Sequence, residues 1–169
     1  IDIGGESSRP GAIPIGEEEE QHRVLPVIEA IRKLSDIPIS IDTYKASTAR
    51  LAIEAGAEII NDSSALRFDN NMAETAADLS VPLILMHMLG TPKNMQQDPT
   101  YENVVEEIIS FFEKQIRYAL MCGVNKSNII VDPGIGFGKQ LEDNLVLITN
   151  IDKLKKLGYP VLIGASRKS

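Results

Sequence analysis

Tryptophan is absent from this 169-residue chain, and aromatics together make up only 5% of it. The core must therefore be built mostly from Val, Ile, Leu and Ala. Cys122 is the only cysteine. No internal disulfide is possible, and a reducing, cytoplasmic setting is expected. Cys122 precedes Gly123 where a helix is expected to end, a place for a small buried apolar side chain rather than a nucleophile. Histidine is limited to His22 and His87. With His22 on an expected solvated helix face, a histidine-based zinc site is not supported. No apolar run nears the ~20 residues that span a bilayer. Residues 1–16 lack the basic start and apolar stretch of a signal peptide. Positive charge is also short: 17 Lys and Arg against 24 Asp and Glu give a net charge of −7. That argues against nonspecific binding to nucleic acid or an anionic membrane surface. A local Arg/Lys cluster can still receive an anionic small molecule.

What the chain does have is alternation. At 43% hydrophobic and 24% charged it has an ordinary globular composition, long enough for one well-buried core. Short apolar, β-branched runs recur as PISID (38–42), EIIND (58–62), PLILMH (82–87), NIIVD (128–132) and PVLIGAS (160–166). They lack period-two alternation, as strands buried on both faces of a parallel sheet do. Residues 1–3 read as the tail of one more strand. Helical patterns fill the gaps at 17–34, 46–55, 70–79, 101–121 and 141–157, with Gly56, Gly123 and Gly158 as stops. The acidic run Glu17–Glu20 complements a helix dipole and is expected to be a solvated N-terminus. The order βαβα, with short connections, gives an α/β fold with parallel strands.

Polar residues at the strand ends choose the architecture. The apolar runs end in Asp42, Asn61 with Asp62, His87, Asp132, and Ser166 with Lys168; the first leads to Glu6, Ser8 and Arg9. Polar ends on every strand suit a (β/α)8 TIM barrel, whose sites lie at one mouth. A doubly wound sheet would concentrate chemistry at one switch point. Complete barrels typically need ~250 residues. The expectation is a partial barrel over roughly strands 2–7, one domain at 1–169 truncated at both ends, with two unprotected strand edges.

Six segments carry candidate chemistry. GGESSRPGA (4–12) joins close-approach glycines to Arg9, whose planar fork suits phosphate or carboxylate; a plain surface loop is the alternative. VDPGIGFGK (131–139) matches neither a Walker A loop nor GxGxxG. Its sharper feature is Asp132: a carboxylate after so apolar a run needs a partner, either a flat amidine-like ligand edge or a helix N-cap or ion pair. Asp42 in ISIDTYK has the same form, with an N-cap as alternative. Asn61 in INDSS could read a heterocycle edge or be a turn residue. In LILMHMLGTPKNMQ, Met86 and Met88 suit core or pocket wall. GASRKS (164–169) sets Arg167 and Lys168 at a strand end or in a basic turn. Together these suit a flat, hydrogen-bond-rich heterocycle carrying an anionic group.

In order and spacing, these six segments resemble dihydropteroate synthases along the whole chain. The resemblance implies a (β/α)8 barrel of folate biosynthesis. Such an enzyme condenses 6-hydroxymethyl-7,8-dihydropterin diphosphate with p-aminobenzoate, releasing pyrophosphate, and sulfonamides compete with p-aminobenzoate. Carried over by motif, Asp42, Asn61, Met86, Asp132, Phe137, Gly164 and Lys168 would form the pterin pocket. Ser8, Arg9, Pro10 and Ser169 would border p-aminobenzoate and the diphosphate, as would Phe137. Asp42, Asp132, Lys168 and Arg9 would be the catalytic set. Ser8 stands where many relatives have Thr, and Ser63 where they often have an aliphatic residue; no role passes to Ser63. The resemblance also implies Mg²⁺, with its ligand in a preceding segment and none within this chain, and a homodimeric complete protein. It further implies that the 169 residues alone are inactive or nearly so. A methyltransferase domain moving a methyl from methyltetrahydrofolate to a corrinoid would share the Asp and Asn contacts, but not GGESSRPGA together with GASRKS. A non-catalytic pterin-binding barrel is the reading from another class.

Overall fold

The structure, a computed structural model, describes residues 1–8 and 11–165. Five parallel strands form one sheet: β1 (Asp2–Gly4), β2 (Ser40–Asp42), β3 (Ile59–Asp62), β4 (Leu83–Met86) and β5 (Ile129–Asp132). Between and after them run α1 (Glu17–Arg32), α2 (Ala46–Glu54), α3 (Met72–Leu79), α4 (Val104–Met121), α5 (Leu141–Thr149) and α6 (Ile151–Lys155). Spatial order equals sequence order, β1-β2-β3-β4-β5. A doubly wound sheet reverses its order at the switch point; this one never does. The fold is α/β with a parallel sheet, part of a barrel.

Three expectations need correction. The run at 160–166 is not a full sixth strand among the described residues. It forms one parallel bridge, Val131 with Val161, flanked by bonds from Val131 N to Pro160 O and Leu162 N to Val131 O. The helix expected over 141–157 is two, because the backbone leaves helical geometry at Asn150 (φ −117°, ψ 25°). Burial on both faces holds for β4, whose four residues are all buried, but β2 and β3 alternate. Their outer face packs on helices, while their inner face carries polar residues and stays partly open.

Helix ends follow local chemistry. Asn103 accepts from Glu106 N at 3.2 Å, and Glu107 accepts from Asn103 N at 3.0 Å, closing the start of α4 from both sides. Gln140 and Asp143 form the reciprocal box of α5. Gly123 (φ +93°) and Gly158 (φ +79°) turn the chain where the helical patterns end. The outer core joins Ile41 and Ile60 of the sheet to Val24 and Ile28 of α1, Ala49 of α2, Met72 of α3, Phe112 of α4 and Leu147 of α5. A separate small cluster, Met86, Met88 and Met95 with Phe137 against it, lies at the strand ends. No helix among the described residues is long and apolar enough to cross a membrane.

Candidate functional site

Strand register decides which polar ends meet. Gly4 pairs with Asp42, Asp42 with Asn61, and Asn61 with Ile84. Ile84 pairs with Ile130, and Met86 with Asp132. Paired residues share a face and side chains alternate along a strand. Asp42, Asn61, Met86 and Asp132 therefore stand on one face, at the carboxyl ends of four consecutive strands. Asp62 pairs with Leu85 and faces the helices. It is fully buried and accepts from Ser64 N (2.8 Å), Ser64 Oγ (2.7 Å) and Leu66 N (2.7 Å). Asp62, expected at the mouth with Asn61, is a loop anchor instead, because one residue along a strand reverses the face.

Among the described residues, neither carboxylate caps a helix. Lys45 occupies the cap position of α2, and Ala46 N donates to Asp69 Oδ2 at 2.8 Å rather than to Asp42. Among the described residues no helix starts near Asp132. Its Oδ1 accepts from Gly134 N at 2.8 Å, and a Cβ placed on Gly164 would stand 4.0 Å from Oδ2. Gly164 thus borders the Asp132 carboxylate and leaves room beside it. Asn61 lies in a strand rather than a turn, with Nδ2 donating to Asp2 Oδ2 at 3.1 Å.

The electrostatics separate the acids. Burial first, then the charges of Asp2, Asp62, Glu20 and Glu6, raise the Asp42 carboxyl to about 7. Glu6 behaves oppositely. Burial opposes its ionisation, but bonds from Lys45, Ile15 N and Tyr44 outweigh that and hold it below the usual carboxylate value. A recess between the 6–8 segment and the β2 exit is lined by Glu6, Ser8, Asp42, Thr43, Ser63 and Pro92, among others.

Sequence reasoning missed two buried groups. Glu20, expected in a solvated acidic run, is 1% exposed. It pairs with Lys45 Nζ at 3.1 Å and accepts from Thr48 Oγ1 at 3.0 Å. Its three acidic neighbours are exposed, as helix periodicity turns only the fourth inward. The second group is Lys139 with His87, both buried behind β4 and β5. The signal available was a lysine ending a glycine loop 52 residues from a strand-end histidine, which spacing alone cannot pair. Among the described residues no three His, Cys, Asp or Glu side chains gather as a metal-binding group. Arg9, Pro10, Ser166, Arg167, Lys168 and Ser169 lie outside the described residues.

A family model for pterin binding enzymes matches residues 1–169. The chain is 47% identical over 169 residues to a dihydropteroate synthase of Haemophilus influenzae, covering 100% of this chain and 61% of that protein. It superposes with a TM-score of 0.96 on a Yersinia pestis dihydropteroate synthase solved with a sulfonamide drug complex, at 43% identity, covering 99% of this chain and 61% of that one. A Xanthomonas albilineans dihydropteroate synthase solved with 4-aminobenzoic acid gives a TM-score of 0.92 at 46% identity, covering 99% and 59%. The chain thus spans about three fifths of the length of these relatives.

Proposed function

This chain belongs to the pterin binding enzyme family, and from that premise we propose that the complete protein is a dihydropteroate synthase. It joins 6-hydroxymethyl-7,8-dihydropterin diphosphate to p-aminobenzoate and releases pyrophosphate. One observation carries the reading. Asp42, Asn61 and Asp132 stand on one sheet face at the carboxyl ends of their strands, and Gly164 leaves space beside the last.

A carboxylate and an amide arranged this way suit the aminopyrimidine edge of a pterin, which offers adjacent N–H donors and an acceptor. In this reading Asp132 accepts from that edge, Asn61 and Lys168 take its remaining polar atoms, and Met86 with Phe137 covers its face. Arg9, with Ser8, Pro10 and Ser169 around it, serves the diphosphate and p-aminobenzoate. When the bond from the pterin methylene to the diphosphate oxygen breaks, positive charge develops on the methylene. Carboxylates at Asp42 and Asp132 stabilise that charge. The p-aminobenzoate nitrogen then bonds to the methylene and loses a proton, so no protein nucleophile is needed. The described residues form no ligand group for the Mg²⁺ implied by the resemblance, and no step here runs through it. The bound p-aminobenzoate and sulfonamide of the two solved relatives support the same substrate and inhibitor classes. A cytoplasmic homodimer is the proposed form.

The test is calorimetric titration of the complete protein with a dihydropterin diphosphate analogue, wild type against Asp132→Ala, with circular dichroism on both. Two hydrogen bonds to a charged carboxylate are worth roughly 3 kcal/mol or more, so affinity should fall about 100-fold with the fold intact. Retained affinity in a folded variant means the pocket is misassigned.

A further inference from the structure

Lys139 is 4% exposed. Its Nζ lies 3.0 Å from Gly134 O, 3.0 Å from Phe137 O, 3.0 Å from His87 Nδ1 and 3.4 Å from His87 O. Three carbonyl oxygens and a ring nitrogen surround one ammonium, as they would a small cation. The cation here is tethered to the chain by its own side chain.

The loop around it is tightly bound. Phe137 N donates to Gly134 O at 3.0 Å, closing a turn. Lys139 takes the carbonyls at both ends of that turn and, through His87, fastens it to the segment leaving β4. Gln96 Nε2 holds Gly136 O at 2.8 Å, and Tyr101 Oη holds Gly138 O at 2.6 Å. The turn's product is the Phe137 ring, packed against Met86, Met88 and Met95. Asp132 touches that turn at one point, where Gly134 N donates to its Oδ1 at 2.8 Å, and is otherwise fixed by the sheet. It belongs to β5, pairs with Met86, and its carbonyl accepts from His87 N at 2.8 Å.

We propose that Lys139 is a positioning residue for Phe137: its ammonium, seated against His87, sets the 134–137 turn and hence the aromatic wall of the p-aminobenzoate side. The proposal rests on the dihydropteroate synthase reading above. Loss of the ammonium should therefore loosen p-aminobenzoate more than the pterin, which Asp132 and Asn61 hold besides Phe137.

Charge at this position has a definite pH range. Burial lowers the Lys139 ammonium to about 7, against the opposing pull of Asp132 and Asp143. Burial, then the charges of Lys139 and Arg67, lowers His87 to about 2, so its ring stays a neutral acceptor. Tyr101, also facing His87, is raised by burial and stays protonated. Above about pH 7 the ammonium is lost, and p-aminobenzoate KM should climb.

The experiment uses the complete protein with three readouts: calorimetric affinity for a dihydropterin diphosphate analogue, p-aminobenzoate KM, and kcat from pH 6 to 8.5. Lys139→Met should raise p-aminobenzoate KM by about tenfold, weaken analogue affinity by no more than about threefold, and flatten the alkaline rise in KM. Unchanged KM overturns the proposal, as does equal loss of both affinities, which would mark the loop as general scaffold. Should Lys139→Met not fold, His87→Leu decides: it must shift the alkaline KM limb while leaving the acid limb of kcat in place. A wild-type KM that stays flat across this range overturns the proposal. Failure of the wild type to bind the analogue is a different result and rejects the pterin reading itself.

Discussion

Glu6 and Lys45 form a buried ion pair, with Nζ 2.7 Å from Oε2 and each side chain about 10% exposed. The same ammonium reaches Glu20 at 3.1 Å, and the same Glu6 oxygen accepts from Ile15 N at 3.0 Å. One lysine thus joins the first strand's exit, the start of α1 and the start of α2. Lys45→Met would leave two buried carboxylates unpaired. It should cost about 3–5 kcal/mol, read as a fall in urea midpoint. Because Glu6 is held below its ordinary value, this stabilisation is present above the unfolded carboxylate pKa and is lost as pH falls through the folded one.

Asp42 gives the opposite pH signature. Its carboxyl is raised to about 7, so the native state holds a proton that the unfolded chain releases above about 4. Its contribution to stability is complete below the unfolded pKa and disappears as pH rises through about 7. Asp42→Asn should therefore raise the thermal midpoint at pH 8 and leave it little changed at pH 4. If the ionised form stabilises the developing methylene charge, wild-type kcat should rise through about pH 7 and the variant's kcat should be low and flat. A variant that keeps the wild-type profile would remove Asp42 from the reaction.

Asn61 and Asp62 are adjacent yet face opposite ways, and substitutions should separate them. Asp62→Ala strands the backbone N–H groups of Ser64 and Leu66 inside the protein. It should cost about 2–4 kcal/mol. Asn61→Ala should stay within about 1 kcal/mol in stability while losing pterin analogue affinity at least tenfold. Chemical denaturation and calorimetry on both variants check the pair.

Gly134 has φ +66°, and a Cβ there would lie 2.0 Å from His87 O. Gly134→Ala must push the loop off the β4 exit, because backbone cannot yield as a side chain can. A loss of about 2 kcal/mol or more in unfolding free energy is expected. Analogue affinity should also fall, since Gly134 N holds Asp132 Oδ1.

The sequence by itself determined the element order, the parallel sheet and the strand ends that carry Asp42, Asn61 and Asp132. Strand-length apolar runs and helix-period patterns are local signals, and each helix stop at Gly123 and Gly158 was a backbone requirement visible in one residue. It also carried the family resemblance, through six segments whose order survives without coordinates. The tertiary structure alone decided which side chain of an adjacent pair faces the site. Asn61 and Asp62 are equally polar on paper, and only strand register assigns their faces. It alone showed that Glu20 is buried while Glu17, Glu18 and Glu19 are not, because one turn of α1 lies against Lys45 and Thr48. Lys139 meeting His87 across 52 residues was likewise beyond sequence. Such pairings depend on how strands stack side by side, a long-range relation that neither spacing nor composition encodes.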